Sequence, residues 1–169
     1  MYEQILFPTD GSDGADVALE HARDIAETYD GTLHILTVLD TTSPHIGMTA
    51  AGPASGSTGM IAEEPGMAES GMVGEDHSVQ AHLRERAEAI VDAAADAVDT
   101  VDTVTAVESG VPHSAILDYA AENDIDLVVM GTHGRTGVGR YLLGSVTEKV
   151  VRTSDVPVLT VRLGDGDTE

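Results

Sequence analysis

The sequence predicts an α/β fold: an open, doubly wound parallel sheet with helices on both faces. Five short apolar runs typical of buried strands alternate with four segments in which apolar residues recur at helical spacing. Strands that alternate with helices favour a parallel sheet, and right-handed crossovers then wind the chain in both directions. In such sheets a ligand lies beyond the carboxyl ends of the strands, where the winding direction reverses.

Each element is predicted from a local pattern. The strands are expected at 5–8, 32–39, 101–107, 127–130 and 156–161, and the helices at 12–29, 77–98, 112–123 and 145–152. Gly31 is expected to form the C-terminal cap of the first helix. Pro112 suits the first turn of the third helix, where its missing N–H costs little.

Residues 1–164 are predicted to form a single domain, with a flexible Gly/Met-rich insertion at 40–76 and an acidic tail at 165–169. The insertion holds seven glycines and four of the six methionines, with no sustained period. A connection this long is unusual in a compact domain, so it is interpreted as a disordered surface loop or a lid.

Composition excludes several classes of protein. The formal net charge is -22, which argues against a nucleic-acid partner because such binding depends on neutralising phosphates. There is no cysteine, hence no disulfide or thiol chemistry. No apolar run spans a bilayer and the N-terminus lacks a secretory pattern, so a cytoplasmic location is expected. Acidity with a single lysine, Lys149, resembles the surfaces of proteins from halophiles.

A glycine-rich segment near the end of the chain predicts an anion site. Gly131 and Gly134 follow an apolar strand, and Gly144 and Ser145 open the last helix. Glycines let backbone amides approach phosphate oxygens, and a helix N-terminus offers free amides and a partial positive charge. Residues 131–152 also hold four of the eight basic residues against one acid.

Two alternatives concern Ser145. With Glu148 three residues later it forms a capping-box pattern, so its role is either ligand contact or helix capping. Residues 139–145 also resemble part of a Walker A loop in which Ser145 replaces the lysine, and the missing ammonium group argues against a P-loop NTPase.

The spacing G-x2-G-x9-G-[ST], matched by Gly131, Gly134, Gly144 and Ser145, resembles the nucleotide loop of the ATP-binding branch of the universal stress protein family. Segments 5–12, 110–116, 126–135 and 156–159 are similar to the family's segments in the same order, so the resemblance covers nearly the whole chain. It implies a sheet of order 3-2-1-4-5 and a homodimer that pairs through the last strand, Val156 to Val161.

The resemblance also implies a nucleotide site for ATP, or AMP or ADP, with Mg²⁺ or Mn²⁺. Adenine and ribose are expected near Asp10 and the end of the second strand, and phosphates on the 131–134 turn and the start of the last helix. The expected nucleotide-binding residues are Pro8, Thr9, Asp10, Val38, Met130, Gly131, His133, Gly134, Arg135, Gly144, Ser145, Val146 and Thr147. The metal-binding residues are unknown, and the histidines show no zinc spacing.

Some of these residues have a second interpretation. Asp10 either accepts hydrogen bonds from ribose hydroxyls or caps the first helix from its turn. His133 either touches a phosphate or metal or faces solvent. Arg135 and Arg140 are either phosphate partners or solvated surface residues.

The leading functional hypothesis is a dimeric, nucleotide-responsive regulatory module of the stress response. No catalytic constellation is visible, so catalytic residues are predicted to be none. The alternative is a slow ATP-hydrolysing enzyme on the same site, and a third hypothesis is a family member that does not bind ATP. The sequence names neither the stress nor the downstream protein partner.

Overall fold

The structure, a computed structural model, describes residues 1–42, 75–132 and 143–162, with the side chains of 75–77 left out. Within these ranges the order is β1 (Gln4–Pro8), α1 (Asp13–Tyr29), β2 (Thr32–Asp40), α2 (Glu75–Asp96), β3 (Thr103–Gly110), α3 (Pro112–Glu122), β4 (Leu127–Gly131), α4 (Ser145–Thr153) and β5 (Val158–Val161). The predicted alternation of strands and helices is confirmed. The tail at 165–169 and all but the two ends of the 40–76 segment lie outside the described residues.

The strands form one parallel sheet of order β3-β2-β1-β4-β5, which confirms the expected order 3-2-1-4-5. β1 is the central strand, and its last residue Pro8 lies in register with Leu36 of β2. On the other side, Leu6 of β1 lies in register with Val128 of β4. The chain therefore winds one way from β1 to β3 and the other way from β4 to β5, and the direction reverses between β1 and β4.

The central strands bury both of their faces, as parallel strands covered by helices do. Phe7 and Val129 belong to a cluster packed against α1 and α2, whereas Leu6 and Val128 belong to a second cluster packed against α3 and α4. These four side chains are almost fully buried. The near-continuous apolar runs in β1 and β4 follow from this two-sided burial.

Two strands, β3 and β5, differ from prediction by two or more residues at an end, and the other three differ by one residue. β3 starts two residues later and ends three residues later than 101–107, because it pairs with β2 from Leu33↔Thr103 to Asp40↔Gly110. β5 is shorter than 156–161, since Ser154 and Val156 form a turn in which the Ser154 hydroxyl donates to the Val156 carbonyl. The strand starts after Pro157, whose carbonyl accepts the Val128 amide.

The prediction that Gly31 is the C-terminal cap of the first helix was wrong. Asp30 is the C-terminal cap of α1 and adopts the left-handed conformation, with φ 54°. Gly31 is needed for space: a Cβ there would lie 2.6 Å from the Tyr2 carbonyl oxygen. The sequence pattern located the helix end correctly but assigned the left-handed backbone to the wrong residue.

Among the described helices, none is long and apolar enough to cross a membrane.

Candidate functional site

The candidate site lies at the carboxyl ends of β1, β2 and β4. β1 and β4 are hydrogen-bonded neighbours, but α1 and α4 leave them toward opposite faces of the sheet. A crevice between the two departing turns is the usual location for a ligand in a doubly wound fold.

Hydrogen bonds at the carboxyl ends of β1 and β2 fix the turn after β1. The Thr9 amide donates to the Leu36 carbonyl at 2.8 Å, and the Thr37 hydroxyl donates to the Thr9 carbonyl at 2.9 Å. Gly11 has φ +71°, a left-handed conformation that favours glycine, and its amide donates to the Thr9 hydroxyl oxygen. The turn is therefore held at both strands before any ligand arrives.

Asp10 lies within this turn and is half-buried. One of its carboxylate oxygens accepts the Ser12 amide at 3.1 Å, the geometry of an Asx turn. Ser12 is the N-cap of α1, so Asp10 orders the approach to the helix without being its cap. Because β1 and β2 run in register, Asp10 and half-buried Val38 lie at the same end of neighbouring strands.

The end of β4 is packed closely against α1. A Cβ at Gly131 would lie 2.8 Å from the carbonyl oxygen of Gly14, which is closer than real Cβ atoms approach. The next residue, Thr132, is buried and its amide donates to the Val161 carbonyl. Gly131 is therefore required by packing, whatever else it does.

Hydrogen bonds tie the start of α4 to the end of β4. The Gly144 amide donates to the Thr132 carbonyl at 2.7 Å, and the buried Thr147 hydroxyl donates to the Gly131 carbonyl at 2.9 Å. These contacts bring Met130 and Gly131 beside the first turn of α4. The amides of Ser145, Val146 and Thr147 are first-turn donors that have no acceptor within their own helix.

The capping interpretation of Ser145 was wrong. The N-cap of α4 is Gly144, and no side-chain cap hydrogen bond is formed there. Ser145 is the first helical residue and its side chain is exposed. A capping box needs the hydroxyl one position earlier in the helix, so the Ser145 hydroxyl is not used in this way.

The basic residues described in this region do not converge on the strand ends. Arg152 lies in the last turn of α4 and pairs with Glu148, and its side chain is largely exposed. Lys149 is also exposed on the same helix. Positive potential at the described part of the site therefore comes from the helix N-terminus.

The structure brings together ten of the thirteen predicted nucleotide-binding residues at the carboxyl ends of the strands. They are Pro8, Thr9, Asp10, Val38, Met130, Gly131, Gly144, Ser145, Val146 and Thr147. The other three, His133, Gly134 and Arg135, lie outside the described residues, as does Arg140.

Sequence reasoning missed three residues that shape the site. Thr37 anchors the β1 turn, Thr132 links β4 to both β5 and α4, and the backbone carbonyl of Gly14 is the part of α1 that faces Gly131. A hydroxyl within the otherwise apolar run 35–39 was an available signal for Thr37. A contact made by a backbone carbonyl leaves no signal in the sequence.

The groups whose pKa is shifted lie away from the described part of the site. Among the described residues, the groups with a shifted pKa are Arg23, His34 and Tyr119, and none of them lies at the carboxyl ends of β1, β2 and β4. His34 contacts Gln4, at the opposite end of β1. No group of three or more His, Asp and Glu residues in the described part of the chain is placed to hold a metal ion.

A cavity lined by described residues lies elsewhere, between α1 and α2, with a volume of about 340 Å³. It shares Thr9 and Gly11 of the β1 turn with the candidate site but lies on the face of the sheet away from α4. The strand-end site is identified by its backbone donors and topology, not by this cavity.

The chain belongs to the universal stress protein family, whose model matches residues 1–162. It is 33% identical over 164 residues to universal stress protein MJ0531 of Methanocaldococcus jannaschii, covering 96% of this chain and 83% of that protein. The solved structure of MJ0577 from the same organism has a TM-score of 0.75 and 26% identity, covering 98% of this chain and 99% of that one.

A universal stress protein solved in complex with cAMP has a TM-score of 0.55 and 24% identity, covering 96% of this chain and 98% of that one. At that identity the likeness concerns the fold.

Proposed function

We propose that this protein is an ATP-binding universal stress protein that acts as a homodimeric, nucleotide-responsive regulatory module. The nucleotide occupies the crevice between the β1 turn and the start of α4. ATP is the ligand with the best support from the loop spacing, and AMP and ADP share its base and sugar contacts. Occupancy would change the population of conformers available to a downstream partner.

One observation carries the proposal: the first turn of α4 is held against the end of β4 at the point where the sheet reverses its winding. The Gly144–Thr132 and Thr147–Gly131 hydrogen bonds fix that turn, so three backbone amides are presented together. Phosphate groups bind at helix N-termini because such amides and the helix dipole both favour an anion. A neighbour that shares the fold was solved in complex with cAMP, an adenine nucleotide.

Asp10 and Val38 give the other half of the proposed site. The Asp10 carboxylate is suited to accept hydrogen bonds from ribose hydroxyls, and Val38 offers an apolar edge to the base. A divalent ion, Mg²⁺ or Mn²⁺, would enter with the triphosphate and be ligated mainly by phosphate oxygens and water, as Mg²⁺ commonly is.

The decisive variant places a negative charge on the proposed phosphate site without disturbing the fold. Ser145→Asp puts a carboxylate at the first position of α4, where an acid favours the helix and repels a phosphate. We expect ATP affinity, measured by calorimetry in high salt, to fall by at least about tenfold while the unfolding midpoint is kept or raised.

Ser114→Asp is the matched control, because Ser114 is an exposed serine in the first turn of α3 and receives the same charge. It should bind ATP as the unmodified chain does. Equal affinities for the Ser145→Asp and Ser114→Asp variants would overturn the proposed site.

The acid-rich surface is part of the same proposal: we infer an intracellular environment of high salt. A net charge of -22 repels itself, and salt screens that repulsion. Molar KCl should raise the thermal unfolding midpoint, and a midpoint independent of salt would contradict this inference.

A further inference from the structure

The groove between α1 and α2 has the size of a small-molecule site. Its volume is about 340 Å³, and ligand pockets commonly measure roughly 300 to 1,000 Å³. Phe7 of β1 forms part of its base, with Leu19 of α1 and Ala93 of α2 beside it. Its lining is mainly apolar, so a ligand with an apolar body would recover contacts that the groove lacks when empty.

The groove exists because α2 presents small side chains to it. Ala89 and Ala93 lie one turn apart on one face of α2, Ala97 follows directly after the helix, and all three line the groove. At one end of the groove, Ile90 of α2 lies against the β1 turn. A Cβ at Gly11 would lie 3.2 Å from the Ile90 side chain. This contact closes one end while the alanines leave the remainder open.

Two opposite charges line the groove on different helices. Asp16 is on α1 and Arg86 is on α2, and neither forms an ion pair with any described residue. Arg84, on the same helix, pairs with Glu88 at 3.2 Å. In a chain of net charge -22, a guanidinium that pairs with no described carboxylate and lies beside an apolar groove is complementary to an organic anion.

We propose that this groove is a second binding site, for an amphipathic organic anion whose apolar body lies along the alanine face and whose charged group pairs with Arg86. Asp16 on the facing wall repels the anionic group and so orients the ligand toward α2. The site goes beyond the proposed nucleotide function, because it shares only Thr9 and Gly11 of the β1 turn with the nucleotide site and lies on the other side of the sheet.

The test uses 8-anilinonaphthalene-1-sulfonate, which has an aromatic body and one sulfonate, titrated at constant salt with the full-length protein. We expect saturable binding by one probe molecule per chain, detected by fluorescence, that saturating ATP does not displace. Arg86→Gln should weaken binding about fivefold, the scale of one charge-assisted contact at an open site. Ala93→Leu, which fills the groove, should abolish it.

Each variant has a control on the same helix. Arg84→Gln removes an equal charge outside the groove, and Ala81→Leu enlarges an exposed alanine that does not line it. Both controls should bind the probe as the unmodified chain does. The proposal is overturned if the unmodified chain does not bind, if ATP displaces the probe, or if either groove variant behaves like its control. The probe is titrated first without nucleotide. A failure of the probe to bind can therefore be told apart from a failure of ATP to bind.

Discussion

At the scale of single residues, Gly131 has a packing role that a phosphate-loop motif does not reveal. Its Cα faces the Gly14 carbonyl, and a side chain there would force β4 and α1 apart. The glycine spacing therefore reflects packing of the fold as well as any ligand. A loss of ATP binding in a Gly131 variant is weak evidence for phosphate contact, because the same substitution moves α1.

Gly131→Ala should lower the free energy of unfolding by about 1–3 kcal/mol, the usual cost of overpacking a tight site. Urea unfolding measures this directly. Gly144→Ala is the comparison, since its Cβ would lie 3.2 Å from the Thr132 carbonyl oxygen and its φ of -55° suits alanine. The Gly144 variant should lose less stability, and an unchanged urea midpoint for Gly131→Ala would contradict the packing argument.

At the scale of elements, the strand and helix order could be predicted because both faces of the central strands are buried. That burial requires continuous apolar runs, which are visible in the sequence. The ends of β3 and β5 could not be predicted in the same way. They depend on pairing with β2 and on the Ser154–Val156 turn, which involve no local apolar pattern.

The parts of the site that are marked by a local sequence pattern could be predicted, whereas the parts that depend on tertiary packing could not. The β1 turn and the α4 start were located from glycines and a strand end. The roles of Thr37 and Thr132 depend on which strands become neighbours, and that is decided by the whole sheet. For His133, Gly134 and Arg135, the predicted contacts stay predictions.

A buried polar group links α3 to β1 and β2. His34 of β2 is 6% exposed, and its Nδ1 lies 3.0 Å from the Tyr119 hydroxyl of α3. Its Nε2 lies 2.7 Å from the Gln4 side-chain oxygen, which can only accept, so Nε2 carries the proton of the neutral ring. Nδ1 then accepts the Tyr119 hydroxyl proton, and the network is satisfied with His34 uncharged. Burial raises the pKa of Tyr119, and the negative charge of Glu108 on β3 adds to this effect.

This network predicts a loss of stability in mild acid. Burial lowers the pKa of His34 below its ordinary 6.5, so the unfolded chain binds that proton more readily than the folded protein does. The stabilising contribution is complete above pH 6.5 and is lost as pH falls below it through the folded pKa. Urea unfolding across that range should show a pH slope that is smaller in His34→Gln.

His21→Gln is the control for this slope, because His21 is exposed on α1. It should keep the pH dependence of the unmodified chain. The account of the network fails if His34→Gln and His21→Gln show the same slope.

At the scale of the whole molecule, the sheet has two edge strands, β3 and β5, and the proposed homodimer pairs through β5. β5 is the edge beyond β4, and it carries Leu159, which is 37% exposed. Nearby on α4, Val151 is 46% exposed. Exposed apolar side chains on an edge strand favour association with a second copy of the chain.

Leu159→Glu should convert the proposed homodimer to a monomer, because two copies would bring like charges together on an already acidic surface. Light scattering after size-exclusion chromatography measures the mass. Val104→Glu is the matched control, since Val104 is 42% exposed on β3, the opposite edge. A dimer retained by Leu159→Glu but lost in Val104→Glu would move the interface to the other edge.

The central claim is that a nucleotide binds where the end of β4 and the start of α4 meet the β1 turn. Backbone amide chemical shifts recorded by NMR during an ATP titration test it most directly, because they report on individual amides without any substitution. The account predicts that Gly131, Ser145, Val146 and Thr147 show the largest shifts, with smaller ones at Asp10 and Val38. Saturation with ATP that leaves these amides unmoved, or that shifts another part of the molecule instead, would contradict it.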